Sequence, residues 1–398
     1  MRSQLQTLIC MPVLALSSIS AMAAEVELSG LVAGELRSFF QQPRFQDQCE
    51  NFQPSMIIVP EVRVRTSEGT HQFTFVPYLR LDVCDGERTH FDLREAYWRY
   101  TGESWEMVAG MSQVFWGVTE SRHLVDVINQ TDLVEDIDNE DKLGQQMINV
   151  SFQQDWGNIS LFVLPGFRER TFPGEAGRLR TPLPVDQDNA RYESSAGKKH
   201  VDVAVRYSHF IGDWDIGISY FHGTGREPTL IVNEEGTALI PYYTIITQGG
   251  VDLQYTKGAW LWKFEGITRS GQGKTFTALV GGFEYTLYQV FGSADIGLLF
   301  EYLYDGRDAD APATVFDDDL FVGTRLALND TQDTQALVGA ILDRNHGSTA
   351  LSVELERRIG EKWKIEIESR HFFNTSSHDV LDTFGSDDFT SARFSWFF

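Results

Sequence analysis

The chain has 398 residues, of which 33 are lysine or arginine and 57 are aspartate or glutamate, giving a formal net charge of −24. That balance argues against a nucleic-acid ligand and against an anionic inner-leaflet surface, and suits a protein facing divalent cations and lipopolysaccharide. After the N-terminal segment no apolar run reaches the roughly 20 residues of a membrane helix, so 13% aromatic residues must be placed by strands.

Arg2, the apolar run Leu8 to Leu16 and the small-residue stretch Ala21-Met22-Ala23 have the layout of a secretory signal peptide. Residues 1–23 are expected to be removed before Ala24, leaving residues 24–398 as one domain without a linker. Cys10 lies in the apolar core of that signal and lacks the small-residue context of a lipoprotein site. Cys49 and Cys84 remain, in an oxidising compartment, and are expected to pair across the first two external loops.

From Val26 to Phe40 the residues alternate, with Val26, Leu28, Val32 and Leu36 on one face and Glu25, Glu27, Glu35 and Arg37 on the other. A period of two is that of a strand between unlike surroundings. Met56 to Thr66 repeats it, and a third strand sets Phe73, Phe75, Leu79 and Leu81 against Thr74, Tyr78, Arg80 and Asp82. Further strands are expected at about 91–100, 105–115, 146–154, 158–166, 200–210, 214–222, 247–256, 260–269, 275–289, 293–304, 319–329, 335–343, 349–358, 362–373 and 388–398. The total is about eighteen, an even number, as a single-chain bacterial barrel requires. Short turns such as Ser67-Glu68-Gly69-Thr70 and Gly212-Asp213 alternate with long polar segments at about 116–145, 167–199, 223–246 and 374–387, the asymmetry of periplasmic turns and external loops.

The last strand carries Phe394, Trp396 and Phe398 in one phase and Arg393 and Ser395 in the other. A closed barrel in lipid has a use for a terminal ring, because its last strand pairs with its first and the ring reaches the aromatic belt. The fold class is therefore all-β, a transmembrane antiparallel β-barrel in the outer membrane of a Gram-negative cell. A soluble sandwich fits the alternation alone, but not the leader, the strand number and the terminal Phe398 together.

The polar phase then lines the lumen: Arg63, Arg65, Arg80, Asp82, Lys263, Glu265, Arg269, Glu284, Asp295, Glu301, Arg325, Glu354, Glu356, Arg358, Lys364, Glu366, Glu368, Arg370 and Arg393. Both signs are present, so opposed ladders are expected to pair and narrow the hole. The segment 116–145 follows the fifth strand and starts with Trp116-Gly117, an aromatic anchor beside a residue that permits a sharp bend. A loop that long calls for a function, and an inward constriction is expected, with Asp126, Asp132, Glu135, Asp136, Asp138, Glu140 and Asp141 favouring cations. The alternative is a loop splayed outward over the cell surface. Such carboxylates could hold Ca²⁺, as could Asp317, Asp318 and Asp319, but the spacing is not that of an EF-hand, and no cofactor is otherwise expected. Ser121 and His123 lack an orienting third group, so no enzyme is expected.

The C-terminal Phe398 resembles the insertion signal of bacterial outer-membrane barrels, which implies the barrel-assembly machinery as a partner. Ala109-Gly110-Met111-Ser112-Gln113-Val114-Phe115-Trp116-Gly117 with Asp126 to Asp132, Glu284-Tyr285-Thr286, Glu301 to Asp305 and Asp318 to Leu326 resemble segments of the alginate-export-type and related porin-like barrels. Met111 and Ser112 stand where that family has Arg and Gln, and Gln130 where it has Pro. The mixed lumen also departs from an arginine-rich pore for polyanions. The resemblance implies a conduit for passive passage of small hydrophilic solutes or a polysaccharide. A non-conducting barrel presenting its loops for adhesion or complex assembly is the alternative.

Overall fold

The computed structural model describes residues 24–376 and 379–398; the segment read as a signal peptide lies outside them. In chain order the strands are β1 (Ala24–Phe39), β2 (Phe52–Thr66), β3 (His71–Asp82), β4 (His90–Thr101), β5 (Trp105–Ser112), β6 (Gln145–Gln154), β7 (Gly157–Leu164), β8 (Arg191–Tyr192), β9 (Asp202–Ile211) and β10 (Trp214–Thr224). They continue with β11 (Thr229–Val232), β12 (Leu239–Tyr243), β13 (Ile245–Lys257), β14 (Trp260–Ser270), β15 (Phe276–Phe291), β16 (Ala294–Asp305), β17 (Asp318–Ala327), β18 (Gln335–Asp343), β19 (Thr349–Ile359), β20 (Trp363–Phe373) and β21 (Phe389–Phe397). The short strands β8, β11 and β12 form a small sheet within the long loops, which periodicity over so few residues could not announce.

The other eighteen strands close into one antiparallel barrel. Closure joins β1 to β21, with Leu31 opposite Phe397 and Gly34 opposite Phe394. At the seam Phe398 donates its N–H to the Gly30 carbonyl (3.1 Å) and accepts from the Gly30 N–H (3.2 Å). Gly30 has φ +155°, and a Cβ there would stand 2.5 Å from the Val59 carbonyl oxygen and 2.9 Å from the Phe398 ring. Only glycine lets first strand, second strand and terminal ring meet so closely.

One end of the barrel carries short turns and the other long loops, among them 113–144, 165–201 and 225–244. Cys49 and Cys84 are disulfide-bonded (Cα–Cα 5.9 Å), joining loop 40–51 to loop 83–89 at the long-loop end. No helix among the described residues is long and apolar enough to cross a membrane.

The outward phase is apolar and exposed over the whole circumference, as Val26, Phe73, Leu298, Val322, Ile367 and Phe394 illustrate. Near the short turns it becomes aromatic, with Trp105, Trp156, Trp214, Trp260, Trp363 and Trp396 all exposed. Trp363 stacks on Phe394 (4.7 Å) and Trp260 on Trp262 (5.5 Å). Such a girdle holds amphipathic rings where hydrocarbon gives way to water. The inward phase is not uniformly polar. Towards the long loops, from β6 to β17, it carries Phe162, Phe221, Ile267, Val280, Leu303 and Phe321, all buried. Charged residues share that stretch of inner wall, among them Glu265, Arg269 and Glu301, and continue on β1–β4 and β19–β21.

Ile367, midway along β20, faces outward, whereas Lys364 on the same strand reaches Glu356 at 2.7 Å on the inner face. Ile367→Lys is expected to lower the unfolding free energy of the bilayer-reconstituted barrel by about 2–4 kcal/mol. A urea titration checks it, and unchanged stability would show that this face does not meet hydrocarbon.

Candidate functional site

Loop 113–144 enters the barrel and lies across it. The fifth strand was expected to run to residue 115; it ends at Ser112 because the next N–H groups find partners within the loop. Val114 donates its N–H to Asn129 Oδ1 (2.8 Å) and Trp116 to Asp126 Oδ1 (2.7 Å). The amide of Asn129 in turn donates to the Ser112 and Leu143 carbonyls (2.9 Å each), tying the two ends of the loop together. Gly117 is needed for close approach, since a Cβ would stand 2.4 Å from His123 Nδ1.

Two chemistries seat the loop. Trp116 packs edge-on against Phe162 (5.6 Å), and Leu124, Val125, Val127 and Ile128 are buried against the apolar inner wall. Burial of each such side chain stabilises by roughly 1.5–3 kcal/mol. Opposite, the acidic half of the loop meets arginines. Asp132 pairs with Arg94 (2.5 Å), Glu135 with Arg80 (2.5 Å), Asp136 with Arg37 and Arg370 (3.3 Å each), and Asp138 with Arg370 (2.7 Å). Arg80 is fully buried and also donates to Glu35 (2.8 Å) and Ser55 (2.7 Å). The Tyr78 hydroxyl donates to Glu135 (2.6 Å).

Wall carboxylates also hold the loop, through its backbone. Glu265 accepts N–H groups of Val118 (2.7 Å), Thr119 (3.0 Å) and Val125 (3.1 Å). Glu301 accepts those of Glu120 (2.8 Å) and Ser121 (2.9 Å). Glu120 pairs with Arg325 (2.7 Å) and Lys263 (3.4 Å), and Arg325 reaches Glu284 (3.6 Å). Buried charges require such partners, because an isolated one costs several kcal/mol.

The remaining expected lumen residues also lie on the inner phase. Arg393 pairs with Glu35 (2.7 Å), Asp82 with Arg88 (3.4 Å), Arg269 with Glu227 (3.0 Å), and Lys364 bridges Glu356 and Glu366. Glu368 accepts from Arg370 (2.5 Å), and Glu354 stands opposite it in the ladder. Arg63 pairs with Glu61. Arg65 (on Gln72, 2.9 Å), Asp295 (on Asn329, 2.9 Å) and Arg358 sit near the short turns, away from the loop.

Free negative charge along the loop is the expectation that needs correcting. Asp132, Glu135, Asp136 and Asp138 are matched by arginines, and Asp126 accepts the Trp116 N–H with one oxygen, its other oxygen being buried without a hydrogen-bond partner. The loop carboxylates left exposed are Glu140 and Asp141 beside Lys142. The arginines come from β1, β3, β4 and β20, and Glu35, Arg37, Arg88 and Arg94 join the site although they are not among the residues expected from sequence. Glu35 and Arg37 occupy the polar phase of β1 and had the same warrant as Arg63, whereas Arg88 lies in an aperiodic loop and gave no signal.

Two cavities flank the loop. One of about 510 Å³ opens towards the short turns, bordered by Glu61, Arg63, Tyr78, Phe115, Glu140 and Asp141. The other, about 550 Å³, forms a vestibule under the long loops. Lys142 borders both, and Glu140 and Asp141 border the first beside it. The vestibule is rich in guanidinium groups: Arg122, Arg170, Arg180, Arg226, Arg269 and Arg307 line it. Glu227 bridges Arg269 and Arg307 (3.0 Å each). Burial opposes its ionisation, but Arg307 and Arg269 outweigh it and hold its carboxyl well below the usual range.

Sequence comparison finds no matching family model and no similar curated protein. Solved structures do match. OccAB3 of Acinetobacter baumannii aligns over 94% of this chain and 99% of its own, at 10% identity and a TM-score of 0.56. A BenF-like porin from Pseudomonas fluorescens Pf-5 aligns over 94% and 98%, at 9% identity and a TM-score of 0.54. Wzi, described as an outer membrane protein involved in group 1 capsule assembly in Escherichia coli and a carbohydrate-binding β-barrel, aligns over 92% and 83%, at 10% identity and a TM-score of 0.53. The chain has the fold of porin-like outer-membrane barrels. At these identities the likeness concerns the fold alone.

The stretch at residues 140–142 has a testable charge state. Desolvation by the surrounding loop and wall, reinforced by Asp138 for Glu140 and by Glu135 for Asp141, pushes each carboxyl up to about 7, although both residues are exposed to solvent. Both are largely neutral at pH 6 and gain up to two negative charges as pH rises through 7. The cation-to-anion permeability ratio, read from reversal potentials, is expected to rise between pH 6 and pH 8. In E140Q/D141N the ratio should stay flat; an unchanged pH response in that variant would place the titrating groups elsewhere.

Proposed function

We propose that this chain is an outer-membrane channel through which small hydrophilic solutes pass passively, at a rate limited by the neck at residues 140–142. The observation that carries this reading is a single loop, fastened on both sides of the barrel wall, with a cavity above and another below it. A barrel of this strand number would otherwise enclose a wide aqueous hole, and an inward loop is an economical way to set its size. The outer-membrane location is supported by the leader-like residues 1–23, the apolar exterior with its aromatic girdle, and the porin-like fold. Of the vestibule arginines, Arg122, Arg226, Arg269 and Arg307 are paired with Asp305, Asp202 and Glu227, which leaves Arg170 and Arg180 to attract anionic solutes at the mouth.

The density of bonds around the loop supports a second reading, in which the lumen is sealed and the long loops present a surface, here for a carbohydrate or another cell-surface partner. Polysaccharide export of the alginate type is less well matched, because the waist is filled and its charges are paired.

Planar-bilayer recording separates the readings. Wild-type protein is expected to give discrete single-channel steps. Deletion of residues 120–140 should give larger steps with weaker ion selectivity, the arginines it strands being hydrated in the widened lumen. A silent wild type with a conducting deletion variant would establish the sealed barrel instead. Equal conductance in both would remove the loop from the role of constriction.

A further inference from the structure

Three groups of carboxylates and histidine among the described residues have ligand atoms close enough to share one ion: His90/Asp132/Glu135, Asp136/Asp138/Glu368 and Asp317/Asp343/His346. In the first, Arg94 and Arg80 already occupy the carboxylates, and in the second Arg37 and Arg370 do so. The third differs. No lysine or arginine among the described residues pairs with Asp317 or Asp343, and the nearby Arg344 is taken by Asp318 (2.8 Å).

The register explains how this group assembles. Asp319 and Asp343 are directly opposed on β17 and β18. The Asp343 N–H bonds the Ser348 carbonyl (2.9 Å), so Ser348 faces Asp343 across the next hairpin. The three form an inward row at the long-loop rim, and Asp319 and Ser348 are at most 1% exposed. Asp317, two residues before Asp319, lies on the same phase. His346 is fixed above the row because Asp343 Oδ1 accepts its N–H (2.9 Å) and that of Asn345 (2.7 Å), bringing its Nδ1 to 3.0 Å from Asp343 Oδ2.

A second, independent observation points to a ligand. Asp319 Oδ2 accepts the Asp317 N–H (2.9 Å), but Asp319 Oδ1 has no hydrogen-bond partner and neither has Ser348 Oγ, although both atoms are buried. A buried carboxylate without a cation is costly, and buried charges are found paired or coordinating metal. Three carboxylates gathered without a lysine or arginine, beside an imidazole and an orphaned hydroxyl, form the electrostatic complement of a dication.

We propose that Asp317, Asp343 and His346 bind one divalent transition-metal ion, with Asp319 and Ser348 in the surroundings of its shell. The imidazole selects the metal class: nitrogen suits zinc and its neighbours, whereas calcium takes oxygen ligands. Such an ion would fasten loop 306–317 to hairpin 344–348. The former supplies Ala311, Pro312 and Phe316 to the vestibule wall, so the metal would stiffen the mouth of the lumen. The proposal does not rest on the channel reading, and its test measures binding rather than conduction.

Untagged full-length protein in detergent, stripped with chelator and titrated with Zn²⁺ by calorimetry, should bind one equivalent at this site. His346→Ala, an exposed position, and Asp317→Asn should each weaken that binding about tenfold or more, while the heat-modifiable barrel band on gels stays unchanged. Co²⁺ should give a visible spectrum whose ligand-field bands shift in H346A. Absence of binding to wild type, or binding unaltered in both variants, would overturn the site. Ca²⁺ binding that matches Zn²⁺ and survives H346A would overturn the proposed imidazole ligand.

Discussion

The structure depends most on the fully buried guanidinium of Arg80. It lies between Glu35 on the first strand and Glu135 on the inward loop, with Tyr78 and Ser55 completing its surroundings. Neither carboxylate could be buried alone, and neither could the arginine, since removing one member of such a set leaves a charge in a medium that solvates it poorly. Glu35 extends the set to Arg88 (2.7 Å) and Arg393 (2.7 Å), so β1, β3, β21, the loop before β4 and the inward loop are tied into one arrangement. The seam where the barrel closes and the element that fills it are thus held by the same charges.

Much of this architecture was legible because a strand's period is two and lipid enforces it. Phe394, Trp396 and Phe398 could be assigned to the outside and Arg393 to the inside without knowing any neighbour. Legibility failed where both phases are apolar. In Leu298-Leu299-Phe300, Leu299 faces inward to the loop and its neighbours outward, and alternation cannot reveal a second apolar surface. The loop's length and its Trp116-Gly117 start marked it as special. The state of its carboxylates was not readable, because Arg37, Arg80, Arg94 and Arg370 are distant in sequence and meet only through closure. Counting acids in a segment gives its charge but not its potential, which depends on what the fold sets opposite.

The same principle separates the carboxylates of this chain into three kinds. Those of the waist are matched by guanidinium groups and act as fasteners. Glu265 and Glu301 are matched by backbone N–H groups and act as caps for a loop that lacks regular structure of its own. Glu140 and Asp141 have neither kind of partner, and their affinity for protons rises accordingly. Residual chemistry in a lumen is found where matching stops.

Matching also distinguishes the two sides of the inward loop. On the β6–β17 side the loop is seated by Leu124, Val125 and Ile128 against apolar side chains, with Glu120 paired to Lys263 and Arg325 beside them. On the opposite side it is held by the buried or half-buried ion pairs of Asp132, Glu135, Asp136 and Asp138 with arginines. Glu140 and Asp141, beyond those pairs, border the cavity towards the short turns, and Lys142 borders both cavities. Salt screens exposed charge far more than buried pairs, so it acts on Glu140 and Asp141 and leaves the fasteners of the loop largely untouched.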